Sequence, residues 1–142
     1  MFVAGRTDGA FPREQTAGGL DPFVRAMYAD GAAAWTDQFG SSADDDAAAI
    51  AVRRSGVYVV GSTLGALTES GLLGETDVFA RRYVRKGAQI WTMQHGTIDF
   101  DRAYGAAIDA NSLYVTGTTH GAFESQTNAG DRDVYLLRIR FT

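Results

Sequence analysis

Among the residues of this chain that could do chemistry, the densest group is Asp44-Asp45-Asp46. Oxygen-rich loops of this kind can hold calcium, so the triplet is the candidate metal position. Asp21, Asp77 and Asp133 form a second acidic set, each standing at the head of a run of apolar residues and arginines. The two histidines, His95 and His120, have no partner at metal-ligand or catalytic-dyad spacing. Cysteine is absent, which removes thiol nucleophiles, disulfides and Cys-ligated zinc and leaves the redox compartment open. Ser41, Ser42, Ser55, Ser62 and Ser70 lie in no nucleophile-elbow context. Catalysis by these residues alone is not expected.

The acidic positions gain meaning from what repeats around them. Gly31–Gly40, GAAAWTDQFG, returns as Gly87–Gly96, GAQIWTMQHG, at an offset of 91 − 35 = 56 positions measured on Trp35 and Trp91. A fixed period of this size is the signature of stacked supersecondary units, and the chain holds about two and a half of them. Asp45 recurs as Asp101, but the second copy reads Asp99-Phe100-Asp101-Arg102 and lacks the triplet. The repeated carboxylate therefore reads as a turn-fixing group that accepts from backbone amides, its neighbours as solvated, and no metal is required. Asp21, Asp77 and Asp133 likewise read as structural caps.

Each unit is built from strands. FVAGRTDGA from Phe2, YVVGSTLGA from Tyr58 and YVTGTTHGA from Tyr114 put β-branched and aromatic residues before glycines, a strand followed by a turn. DPFVRAMY, DVFARRYV and DVYLLRIR form a second strand, and after the Asp30-Gly31 or Lys86-Gly87 turn the Trp segment forms a third. Ala47 to Arg53 and Ala103 to Asp109 are strands of small residues, suited to an innermost position where strands crowd. The tryptophans are expected to plug the space between neighbouring sheets. The pattern predicts strands near residues 2–7, 21–28, 33–39, 47–53, 57–63, 77–84, 89–95, 103–109, 113–119 and 133–141, with no helix. Four antiparallel strands per repeat make a propeller blade, so the expected fold is an all-β propeller fragment. Its parts are a partial blade over 1–40, a complete blade over 46–96 and a partial blade over 102–142.

These residues resemble the SBBP-type β-propeller repeat of bacterial and archaeal proteins. The resemblance rests on Asp21, Phe23, Val24, Gly31, Trp35, Thr36, Gln38, Phe39, Gly40, Asp45, Tyr58, Val59, Gly61 and Thr63. The second unit supplies Asp77, Phe79, Gly87, Trp91, Thr92, Gln94, Gly96, Asp101, Tyr114, Val115, Gly117 and Thr119. Pro22 and His95 depart from the pattern. What the resemblance implies is a repeat module of large secreted or cell-surface proteins with no general catalytic activity.

Composition narrows the partners. With 13 Lys+Arg against 17 Asp+Glu the chain is mildly acidic, which argues against nucleic acid. No apolar run reaches the length of a membrane span. Strand alternation places one set of loops, with Asp44, Asp45, Asp46, Glu69, Glu75, Asp99, Asp101, Glu124 and Asp131, on one face, and Arg53, Arg54, Arg85 and Lys86 on the other. The acidic face with its long, variable loops is the expected interaction surface for a protein or glycan, with no cofactor. The rival readings are a propeller of an enzyme such as a quinone-dependent dehydrogenase, which also uses a Gly-x-x-x-Trp segment, and a purely structural spacer. The strand register forbids simple ring closure, so the chain is expected to be a piece of a larger polypeptide whose remaining blades complete it.

Overall fold

Valine, tyrosine and threonine favour extended backbone because branching or an aromatic ring at Cβ packs well on a pleated surface. A computed structural model describes residues 1–141 and shows ten strands with no helix among them. They are β1 (Phe2–Thr7), β2 (Asp21–Met27), β3 (Ala33–Gln38), β4 (Asp45–Arg53), β5 (Gly56–Thr63), β6 (Asp77–Tyr83), β7 (Gln89–His95), β8 (Asp101–Ile108), β9 (Ser112–Thr119) and β10 (Asp133–Arg140). All ten lie where the repeat predicts them. The strands form three antiparallel meanders, β1-β2-β3, β4-β5-β6-β7 and β10-β9-β8.

β4 and β8 begin at Asp45 and Asp101, before the expected starts at Ala47 and Ala103. The reason is pairing: Asp45 and Asp46 sit opposite Thr63 and Ser62, and the register then slips between Ala47 and Ala49. The same slip recurs between Ala103 and Gly105 against β9. Each is a β-bulge, which bends its strand and raises the local twist.

The three sheets stack as layers, and β5 shows how. Every residue of β5 is buried. Because successive side chains point to opposite faces, Val57 and Val59 enter a core shared with Val24, Phe39 and Phe79 of the first and second sheets. Tyr58 and Val60 enter the other core, with Ala103, Leu113, Val115 and Tyr135 of the third. The middle sheet is thus covered on both faces, and its strand reads as a continuous apolar run for that reason.

Neighbouring sheets approach most closely at their small-residue strands, with β4 against β1 and β8 against β4 and β5. At β3 and β7 the gap is filled by bulk. Trp35 is half-buried, lies 5.7 Å from the Tyr83 ring and donates its indole N–H to the Arg85 carbonyl at 3.0 Å. Trp91, also half-buried, packs on Tyr58 and, with Phe141, onto the second core. Both tryptophans bridge sheets as expected, but as plugs at the outer rim and not as fully buried core. An indole with one polar edge suits a site that is apolar on one side and wet on the other.

Candidate functional site

In an antiparallel meander, alternate loops emerge at the same end. The loops β1–β2, β3–β4, β5–β6, β7–β8 and β9–β10 therefore share one end of each sheet, and backbone bonds tie the sheets together there. Asp45 N–H donates to Leu20 O (2.8 Å), Leu64 N–H to Asp44 O (3.0 Å), Asp101 N–H to Thr76 O (2.9 Å) and His120 N–H to Phe100 O (2.9 Å). Asp44, Glu69, Glu75, Glu124 and Asp131 are exposed at this end. Arg54, Arg85 and Lys86 are exposed at the other.

The Asp44-Asp45-Asp46 triplet does not converge. Asp44 Oδ1 accepts from Leu20 N–H at 2.9 Å, and Asp46 pairs with Arg6 at 3.1 Å. Asp45 is buried and accepts from Ser41 N–H (2.5 Å), Ser41 Oγ (3.1 Å) and Thr63 Oγ1. Asp101 repeats the first of these contacts, accepting from Thr97 N–H at 2.5 Å. Asp44 lies in the loop ahead of β4, and Asp45 and Asp46 point to opposite faces of the strand, so adjacency in sequence makes no common site. Among the described residues no group of three or more His, Cys, Asp or Glu is arranged to hold a metal ion. Asp45 and Asp101, counted above with the acids of the loop face, are interior.

The strand-opening aspartates build a second repeated cage whose partner is a glutamine. Asp21 Oδ2 accepts from Ala17 N–H (2.9 Å) and from Gln38 Nε2 (3.0 Å). Gln38 Nε2 also donates to Gly9 O (3.0 Å), and its Oε1 accepts from Phe11 N–H (3.0 Å). The second sheet repeats every contact: Asp77 Oδ2 with Leu73 N–H (2.9 Å) and Gln94 Nε2 (2.8 Å), Gln94 Nε2 with Gly65 O (3.0 Å), Gln94 Oε1 with Leu67 N–H (2.8 Å). One side chain thus ties the Trp strand to the loop two strands away. The identity of Gln38 and Gln94 across the repeat was the only signal of this role in the sequence.

Between the two acidic sets sit Gly40 and Gly96. A Cβ on Gly40 would stand 2.5 Å from Asp21 Oδ1 and 3.0 Å from Asp45 Oδ2, and one on Gly96 would stand 2.3 Å from Asp77 Oδ1 and 2.9 Å from Asp101 Oδ2. The repeated glycine is the space in which two buried aspartates face each other. Gly31 and Gly87 serve differently, adopting φ of 87° and 105° in the hairpin turns before the Trp strands.

Two features go beyond the shared cages. The variable loops of the first and third units hold the same turn at equivalent positions. Glu14 N–H donates to Phe11 O and Gln126 N–H to Phe123 O, both at 2.9 Å, with Arg13 and Ser125 at φ of 75° and 64°. Between the first two sheets, Tyr83 Oη donates to Asp37 Oδ2 at 2.6 Å while Arg81 pairs with the same carboxylate at 3.3 Å. The equivalent positions in the next interface are Met93, Leu137 and Ile139, so nothing in the repeat announces this polar seam. His95 stacks on Phe123 and His120 meets Phe100 edge to face; neither has a carboxylate or histidine partner among the described residues.

Burial pushes the Tyr83 phenol well above its ordinary value of 10.0, opposed by Arg81 and reinforced by Asp37. Burial also raises Tyr135, with Asp101 adding to it. A folded-state value above the unfolded one means that stability is intact below about pH 10 and declines as pH rises beyond it, because only the unfolded chain then loses the proton. Urea unfolding between about pH 8 and 11 should show that decline, shallower in Tyr83→Phe. Constant stability over that range would contradict the burial of these rings.

No protein-family model and no curated protein matches this chain. What the fold defines is an all-β protein of stacked antiparallel meanders. Among the described residues no helix is long and apolar enough to cross a membrane.

Proposed function

We propose that this chain is a run of β-propeller blades of the SBBP type, serving as a non-catalytic scaffold of a larger secreted or cell-surface protein and binding a protein or glycan through the acidic loop end. The observation that carries this reading is the division of labour at that end. The repeated polar residues, Asp21, Gln38, Asp45, Asp77, Gln94 and Asp101, are spent on fixing the backbone, whereas among the exposed acids Glu69 and Glu124 have no acidic counterpart in the other repeats and only Glu75 and Asp131 coincide. A rigid frame with variable loops is how recognition surfaces are built. The reading needs no cofactor, and further blades of the same polypeptide would cover the outer sheets.

Retention of the full chain on immobilised glycans and on cationic proteins tests it. Neutralising Glu69, Glu75, Glu124 and Asp131 to Gln or Asn should weaken the retained interaction about tenfold and remove most of its salt dependence. Retention by no ligand class would favour the spacer, and turnover of a substrate would favour the enzyme.

A further inference from the structure

Among the acids at the loop end lies an apolar groove that belongs to no repeated cage. It runs between the second and third sheets, has a volume of about 560 Å³ and is lined by Leu73, Thr97, Ile98, Asp99, His120 and Ala122 among others. Two close approaches bring its walls together. A Cβ on Gly74 would stand 2.4 Å from the Ile98 carbonyl carbon, and one on Gly121 would stand 2.2 Å from Thr97 Oγ1. The β5–β6 and β9–β10 loops therefore both lie directly on the β7–β8 turn. Leu73 and Ile98 are 51% and 81% exposed. Single exposed aliphatics need no explanation, but two that line one concavity do. Neither is a repeat position: in the first unit Ala17 and Ser42 stand in their places, and Ala43 in that of Asp99. The repeated frame does not require them. The three loops that wall the groove, residues 64–76, 96–100 and 120–132, carry Glu69, Glu75, Asp99, Glu124 and Asp131, with Arg132 as their one Lys or Arg.

We infer that this groove is the docking site for a basic polypeptide segment of a protein partner. One bulky apolar side chain of that segment enters between Leu73 and Ile98, and flanking lysines or arginines meet Glu75, Asp99 and Glu124. The inference rests on the binding reading proposed above and deepens it, naming a cationic polypeptide as the partner and the groove as its anchor. Charge complementarity selects the occupant. Carboxylates around an apolar floor attract cations, and they repel a second copy of this chain, which would present the same acidic end. A basic segment without an apolar residue gains little, because exposed ion pairs are weak. Burial of a leucine or phenylalanine side chain supplies the affinity, while the acids at the rim steer the approach and reject acidic partners.

The probe is a blocked hexapeptide, Lys-Lys-Leu-Phe-Lys-Lys, titrated into the isotope-labelled full chain and followed by amide chemical shifts. Saturable shifts at Leu73, Thr97, Ile98, Asp99 and Ala122 are expected. Serine in place of the peptide's Leu and Phe should weaken binding about tenfold or more, because the buried apolar area is lost and the charge is kept. In the chain, Leu73→Ala together with Ile98→Ser should weaken it about tenfold as well, with an unchanged urea midpoint, since both side chains are exposed and the first unit already carries Ala and Ser there. Equal binding of the serine peptide would overturn the inference, as would the lack of saturable shifts up to about 1 mM. Binding that survives Leu73→Ala with Ile98→Ser but is lost when Glu69, Glu75, Glu124 and Asp131 are neutralised would overturn the groove and leave the acidic loop end standing as a binding surface. Shifts confined to a contact between two copies of the chain would also overturn it.

Discussion

Alanine at Gly61 or Gly117 is expected to destabilise the protein by about 3 to 5 kcal/mol, whereas alanine at the repeat-equivalent Gly5 should cost less than about 1 kcal/mol. A Cβ at Gly61 would lie 1.9 Å from the Asp46 carbonyl oxygen, and one at Gly117 would lie 1.7 Å from that of Arg102. Those oxygens belong to the residues just ahead of the bulges in β4 and β8, so relief requires moving a hydrogen-bonded strand and not a side chain. Tyr135 Oη, which donates to the Arg102 carbonyl at 3.0 Å, tightens the second site further. At Gly5 no small-residue strand lies alongside, and the nearest atom is Phe23 Cε1 at 3.1 Å, a ring edge that can give. Chemical denaturation of the three variants, which differ only in which sheet carries the methyl, measures the contrast. Equal losses at all three positions would show that the bulge contact is not what excludes a side chain.

Asp77→Ala should cost about 3 to 5 kcal/mol and Asp77→Asn about 1 kcal/mol or less. Asp77 is fully buried, and its removal strands two donors, Leu73 N–H and Gln94 Nε2, in a place water does not reach. The loss then spreads, since Gln94 also holds Gly65 O and Leu67 N–H. Asparagine keeps an oxygen for both donors. Its amide nitrogen takes the position of Asp77 Oδ1, which has no hydrogen-bond partner and faces Asp101 Oδ2 across Gly96. A neutral amide there removes one of the two carboxylates that face each other across Gly96. Thermal and urea unfolding of both variants decide the matter, and an asparagine variant as unstable as the alanine one would mean that the two aspartates do not face each other as described.

The ten strands and their order were legible in the chain because a period of 56 repeats each local signal two or three times, and an error in one copy is corrected by the next. Local chemistry was enough for the turns at Gly31 and Gly87, for the alternation that gathers the loops at one end, and for the two acidic positions as backbone-fixing groups. Residue type and repetition act at short range, and short range is what a sequence displays.

The tertiary structure alone decided which atoms those repeated residues meet. Gln38 and Gln94 are ordinary strand residues until β2 and β6 bring the preceding loops within reach. Gly5, Gly61 and Gly117 are identical by repeat, yet only the last two lie under a bulged strand. Asp37, Arg81 and Tyr83 join across two sheets, at positions where the next interface holds apolar residues. Val134 and Leu136 are 79% and 71% exposed although Val78 and Ala80, their counterparts, are 2% and 1%. In each case the distinction comes from which layer stands beside the residue, a long-range fact that no local pattern encodes, because burial and hydrogen-bond partnership belong to pairs of segments and not to either segment alone.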